Sequence, residues 1–285
     1  MKRNLLKLSF VLFGLLFVLA ACGTEEKDSS TNDTANSGAG EAAQTEGKTF
    51  KIGTTQIVEH ASLDAAKNGF KQAIKDAGID AEYVDKSANN DNSNNMTIAQ
   101  QLVSENVDLI FANSTPSAQA AKSATADIPI IFTSVTDAVG AELIDTMAAP
   151  GANVTGTIDL HPDTMPKSVA FLKELGAKNV GMIYNAGEQN SVAQIAAVKE
   201  IASKEGVTIL DAAVSASSEV RQAAESLIGK VDAFYVVTDN TVVSALESVV
   251  DVANANTLPL IVGELDSVAR GGLAAYGFDY YDIGY

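Results

Sequence analysis

Glu59 and His60 are adjacent, and a carboxylate beside an imidazole is a minimal unit for a base or a metal ligand. Nothing else in the chain completes such a unit. The other histidine, His161, is distant in sequence, and no cluster supplies the three or four close ligands that zinc takes. The asparagine-rich stretch 89–95 lacks the glycine and closing glutamate of a calcium loop and reads as a solvated loop. The sequence carries no G-x-G-x-x-G opening a helix, no G-x-x-x-x-G-K-[ST], no G-x-S-x-G and no H-E-x-x-H. The expectation is no catalytic residue, no metal and no cofactor. His60 then reads as a ligand contact or a loop-building residue. The remaining candidates are neutral hydrogen-bonding groups and isolated carboxylates: Gln56, Ser114, Thr115, Ser134, Thr136, Asp137, Asn190, Ser191, Asp239, Asn240 and Asp266.

Their positions follow from the elements around them. Strands are expected at 50–55, 81–84, 107–111 and 128–132, separated by helices. The first helix starts near Ser62, carries Leu63, Ala66, Phe70 and Ile74 at helical spacing, and stops at Gly78. The loop from Asp85 to Asn95 precedes a helix over 96–103, and Ser114-Thr115-Pro116 starts the next. Strands separated by single helices and short loops indicate a parallel sheet covered on both faces. Ligands bind such sheets beyond the carboxyl ends of the strands. The loops there, Gln56–Ala61, Ser87–Asn95, Asn113–Pro116 and Thr133–Asp137, are rich in polar side chains.

The stretch Pro129–Gly156 closes this unit, and the alternation then restarts. A helix is expected over His161–Gly176 with Val169, Leu172 and Leu175 inward, then strands near 180, 207, 231 and 258. Asn190-Ser191 and Asp239-Asn240 fall at helix starts, and Asp266 follows the last of these strands. The fold class is therefore α/β, with two similar doubly wound parallel-sheet lobes joined by a hinge. Their expected spans are 49–156 and 157–272, with 273–285 crossing back to the first lobe. Phe278–Tyr285 reads as a helix cut after two turns, which suggests a truncated carboxyl-terminal helix.

The amino end has a basic start, Lys2, Arg3 and Lys7, followed by a 14-residue apolar run, Leu8–Ala21, interrupted by Ser9 and Gly14. That is short for a bilayer span and right for a secretory signal over 1–21. Leu19-Ala20-Ala21-Cys22-Gly23 resembles the lipobox of bacterial lipoproteins, which implies lipidation of Cys22 and a membrane anchor. Residues 23–48 contain no aromatic residue and no Val, Ile, Leu or Met, so the segment from Cys22 to Lys48 reads as a disordered tether. A coil of that length spans roughly 25–30 Å. Cys22 is the sole cysteine, so no internal disulfide forms. Removing the leader takes the formal charge from −17 to −20, which argues against nucleic acid as a partner.

Several stretches carry a resemblance to a known family. They are Thr55–His60 with Leu63-Asp64, Thr133–Asp137, Pro150–Gly156, Tyr184–Glu188 with Asn190-Ser191, and Thr238–Thr241. With them the chain resembles the substrate-binding lipoproteins of ABC importers associated with tryptophan and tyrosine, of type I periplasmic-binding-protein fold. The resemblance implies capture of a small solute, an aromatic amino acid, by hinge closure on the outer face of the cytoplasmic membrane. It also implies delivery to an ABC permease and, through it, an ATPase. A zwitterion needs an anion site and a cation site. Hydroxyls and backbone N–H groups at helix starts suit the carboxylate. Asp137, Asp239 and Asp266 are candidates for the ammonium. Phe132, Tyr184 and Tyr276 are candidates for an aromatic wall or for core. Alternatives are a sensory receptor, a nucleoside or other-solute binder of the same fold, and a surface-tethered enzyme.

Overall fold

The computed structural model describes residues 47–285. The leader over 1–21, Cys22 and the tether up to residue 46 lie outside the described residues. The chain runs β1 (Phe50–Gln56), α1 (Ala61–Asp76), β2 (Ala81–Ser87), α2 (Asn92–Ser104), β3 (Leu109–Asn113), α3 (Thr115–Ala124), β4 (Ile130–Val135) and β5 (Val154–Ile158). It continues through α4 (Thr164–Glu174), β6 (Asn179–Asn185), α5 (Gln189–Glu205), β7 (Thr208–Val214), α6 (Val220–Leu227) and β8 (Ala233–Val236). It ends with α7 (Asn240–Ser244), α8 (Leu246–Ala255), β9 (Leu260–Val262), α9 (Leu265–Ala269), β10 (Ala274–Ala275) and α10 (Tyr280–Gly284).

The strands form two five-stranded sheets, ordered β2-β1-β3-β4-β5 and β7-β6-β8-β9-β10. Every pairing is parallel. The second sheet repeats the order of the first, so the shared rhythm in the sequence is a shared topology. Alternate residues of a strand point to opposite faces, and helices cover both. In β8, Phe234 and Val236 join Leu246 on one side, while Ala233 and Tyr235 join Met182 and Ile261 on the other. In the first lobe Phe70 of α1 stacks on Phe111 of β3, with ring centroids 4.1 Å apart.

β5 stays paired with β4 as far as Ile158, and β10 pairs with β9. Residues 159–163 and 276–279 therefore link the sheets. These linkers pack together: the His161 ring meets Tyr276 and Phe278 edge-on, at 5.5 and 5.7 Å between centroids. After the second linker α10 returns to the first lobe and lies on α1. The contact is backbone to backbone. A Cβ at Gly69 would overlap the Tyr281 carbonyl, and one at Gly284 would overlap the Ala66 carbonyl.

Four local expectations need correction. The asparagine stretch is not all loop: α2 begins at Asn92, because the Asp91 carboxylate accepts from Ser93 N at 2.9 Å and caps it. α1 begins at Ala61 with His60 in the cap position, and Ser62 is buried inside the first turn. α4 starts at Thr164, beyond Pro162, and Leu175 lies after its end, 44% exposed rather than inward. β4 continues to Val135 through the stretch expected as a polar tip. Its register shifts between Phe132 and Val135, with Ser134 at φ 55°. Such bulges re-aim side chains. Among the described residues no helix is long and apolar enough to cross a membrane.

Candidate functional site

The carboxyl ends of both sheets face each other, and the lobes are shut on one another. The Thr136 and Thr238 hydroxyls are 3.3 Å apart across the seam. Thr241 Oγ1 lies 3.0 Å from the Asn90 side-chain amide, and Asn92 Nδ2 donates to the Gly187 carbonyl at 3.4 Å. Between the lobes lies a narrow cavity of about 10 Å³, walled by His60, Leu63 and Ser134 from the first lobe and by Thr238, Asp239, Asn240, Val243 and Glu264 from the second. Asp159 and Tyr280, from the linkers and the start of α10, complete the wall. That is room for about one water, far below the roughly 300–1,000 Å³ of small-molecule sites, so a solute enters only as the lobes part.

Of the candidates from sequence, His60, Ser134, Asp239 and Asn240 line this cavity. Both ring nitrogens of His60 are buried without a hydrogen-bond partner. Burial, with Arg270 adding to it, holds the imidazole down to about 4, so it is neutral at physiological pH. The bulge turns Ser134 so that its hydroxyl donates to Asn113 Oδ1 at 2.7 Å. Asp239 is the cap of α7: its carboxylate accepts from Val242 N at 2.8 Å and from Asn185 N at 2.6 Å. Burial first, and Glu188 second, push its carboxyl up to about 7.

Other candidates stand behind the wall. Gln56 Nε2 donates to the Val58 carbonyl and to Asp64 Oδ1, bracing the β1–α1 loop that carries His60. Thr136 belongs to the seam. Asn190 Nδ2 donates to the Thr238 carbonyl at 3.1 Å and to Ser191 Oγ at 3.4 Å, and both residues are buried. Ser114 caps α3, accepting from Ser117 N, at a backbone φ of 126°. That region is costly for any residue with a Cβ. Thr115 beside it keeps a buried hydroxyl without a partner.

Two candidates do not reach the cavity. Asp137 is exposed and accepts from Gly140 N at 2.8 Å in its own turn. Asp266 is half-buried in the first turn of α9, and the residue that lines the cavity is Glu264 at the preceding cap position. The aromatic wall is also different. Phe132 lies in the first core and Tyr184 packs on the second, while Tyr276 sits in the linker cluster under Lys167. The apolar lining is Leu63 and Val243 with the ring of Tyr280.

Sequence reasoning missed Asp159, Glu264, Tyr280 and Glu188. Tyr280 Oη donates to Asp159 Oδ2 at 2.7 Å. Burial raises the Asp159 carboxyl to about 6, and it raises Glu264 as well. The Tyr280 phenol is driven well above its usual value, by burial and then by Asp159. Asp159 follows a strand end, which is a legible signal. The other three carry no marker apart from a position near helix starts.

A model of the family described as ABC transporter substrate binding protein matches residues 51–285. A protein named tyrosine-binding protein from Clostridioides difficile is 43% identical over 98% of this chain and 80% of its own length. A Streptococcus pneumoniae ABC domain solved in complex with L-Trp is 33% identical, with a TM-score of 0.79 over 83% of this chain and 81% of that one. The ligand-free, open structure of a substrate-binding protein with adhesive properties from Clostridium difficile is 42% identical over the same shares, yet its TM-score is 0.58. The open relative is nearer in sequence and further in shape, as expected when the present lobes are closed. With its residues 51–285 covered by the family model and its two lobes closed over an interlobe cavity, the chain belongs to the ABC transporter substrate-binding proteins.

Proposed function

We infer that the chain captures an aromatic amino acid, tyrosine or tryptophan foremost and phenylalanine as a further member, in the closed interlobe cavity and hands it to its permease outside the cytoplasm. The observation that carries this is the cavity itself. It is walled by residues of both lobes, and its free volume of about 10 Å³ means that the lobes part to take a solute in and close on it. Its polar wall is acidic: Asp159, Asp239 and Glu264 line it and the one imidazole among them is neutral. Buried carboxylates without a cation are costly, and an α-ammonium group offsets that cost. Leu63, Val243 and Tyr280 supply the apolar contact for a side chain. The relatives named for tyrosine and solved with L-Trp support the aromatic class.

A thermal-shift screen of the purified chain against the standard amino acids, a nucleoside and a sugar tests this. Tyrosine, tryptophan or phenylalanine should raise Tm selectively, by an amount equivalent to about 2.7 kcal/mol when the ligand is at 100 times its Kd. A rise with the nucleoside or the sugar alone refutes the amino acid reading.

The apolar run ending at Ala21 and the small residues before Cys22 support lipidation at that cysteine and residence on the outer face of the membrane. Replacing Cys22 by serine should move the protein from the membrane fraction of the producing cell to the soluble fraction. A Cys22→Ser protein that stays with the membrane disproves the anchor.

A further inference from the structure

The acidic corner of the cavity belongs to the hinge rather than to the loop tips of either lobe. Asp159 directly follows β5 on the first linker, and its N–H donates to the Val135 carbonyl at 3.1 Å. Tyr280 opens α10 after the second linker, and its hydroxyl occupies Asp159 Oδ2. The other oxygen, Asp159 Oδ1, is buried and has no hydrogen-bond partner. Glu264 caps α9 beside it, with Oε1 accepting from Ser267 Oγ at 2.8 Å.

Arg270 offsets part of the charge on Glu264, and among the described residues no cation acts on Asp159. His60, at the cap of α1, is neutral. Arg270 is held by Glu247 through Nε and Nη2, both at 2.8 Å, while its Nη1 is buried without a partner and its charge acts on Glu264. Asp266 in α9 adds negative charge beside Glu264, and Asp64 of α1 and Glu188 of the second lobe add more around His60. A buried oxygen with a free lone pair, in a pocket with excess negative charge, is complementary to a cationic donor.

We propose that Asp159, Glu264 and Tyr280 form the ammonium subsite, with the ligand's primary ammonium donating to Asp159 Oδ1. The proposal rests on the cavity being an amino acid site, and it assigns the cation pole to residues of the hinge. A ligand seated there touches the first linker and the start of α10 together, so occupancy holds the hinge in its closed setting. Proton linkage follows. The empty site keeps a proton on Asp159 at acidic pH, because burial raises that carboxyl to about 6. An arriving ammonium favours the ionised form and must displace that proton. Affinity for ammonium-bearing ligands therefore falls about tenfold per pH unit below 6 and levels off above 7.

Calorimetric titration of the whole chain tests the assignment with L-tyrosine and with 3-(4-hydroxyphenyl)propionate, which lacks the ammonium. Asp159→Asn keeps the shape and the Tyr280 contact. It should weaken L-tyrosine about tenfold or more at pH 7.5. It should leave the propionate unchanged or tighter and flatten the pH dependence. Asp137→Asn, on an exposed turn away from the cavity, should change none of these. The unliganded Asp159→Asn protein should melt no lower than the parent at pH 7.5, since it loses a buried negative charge and little else. Equal losses for both ligands, or an unchanged tyrosine affinity, overturn the subsite. If the screen identifies another amine-bearing solute instead, that solute and its deaminated analogue replace the pair and decide in the same way. If only solutes without a cationic group bind, both the subsite and the amino acid reading fall.

Discussion

Replacing Glu188 by alanine is expected to destabilise the second lobe by about 3 kcal/mol or more and to abolish ligand capture. Glu188 is 1% exposed and sits between β6 and α5 with no cation beside it. Its Oε1 accepts from Thr241 Oγ1 at 2.8 Å, Thr241 N at 3.2 Å and Asn185 Nδ2 at 3.4 Å. Its Oε2 accepts from Asn240 Nδ2 at 2.5 Å, Asn240 N at 3.3 Å and Asn190 Nδ2 at 3.4 Å. One carboxylate thus gathers the donors of two strand-end loops and sets where Asp239 and Asn240 face the cavity. Alanine strands these donors in the interior, at about 1–3 kcal/mol for each that finds no new acceptor. Removing the negative charge also relieves Asp239, whose carboxyl should drop from about 7. That gain is smaller than the loss. In a domain of this size Tm should fall roughly 6–12 °C. Glu188→Gln keeps one acceptor but turns an amide N–H₂ toward other donors, and should fall between. An alanine variant that melts with the parent and binds as tightly shows that water replaces the carboxylate.

Gly69→Leu should separate α10 from α1 and cost at least tenfold in ligand affinity. The neighbour of a Cβ at residue 69 is the Tyr281 carbonyl, part of a backbone rather than the end of a flexible side chain. No rotamer relieves such an overlap, so the helix must move. Overpacking of this kind costs about 1–3 kcal/mol, occasionally more. The functional effect comes through Tyr280, which α10 carries and whose hydroxyl sits on Asp159. Displacing α10 opens the hinge side of the cavity. Side-by-side Kd and Tm measurements on Gly69→Ala and Gly69→Leu should show both effects growing with side-chain size. Parent-like affinity in Gly69→Leu means that α10 plays no part in building the site.

The lobes were legible because their strands are short apolar runs between helical patterns, and the polar residues past each strand end were legible from where a parallel sheet presents its ligands. Ser134 and Asn240, chosen that way, line the cavity. Asp137 and Asp266, chosen by the same reasoning, do not line it. At a strand-to-helix corner a carboxylate can point into the cleft or cap its own turn, and a shift of one or two residues along the chain decides which. Asp137 caps its turn, while Glu264, two residues before Asp266, points inward. The first turn of α2 escaped notice because Asn92, Asn94 and Asn95 show no apolar spacing and asparagine is a poor helix former. The Asp91 cap, a local hydrogen bond, overrides that. Glu188 and Tyr280 gain their roles from contacts 52–53 and 121 residues away in sequence. A reading of local spacing contains no trace of such contacts.

The seam between the lobes is closed by hydroxyls, amides and a carbonyl, and every ion pair among the described residues joins two groups of the same lobe. Counterions weaken attraction between formal charges and leave neutral dipoles almost untouched. A receptor outside the cytoplasm meets whatever electrolyte its surroundings hold, from dilute to saline. Shutting by uncharged contacts lets this one keep the same grip through osmotic swings, with its electrostatics reserved for the cargo.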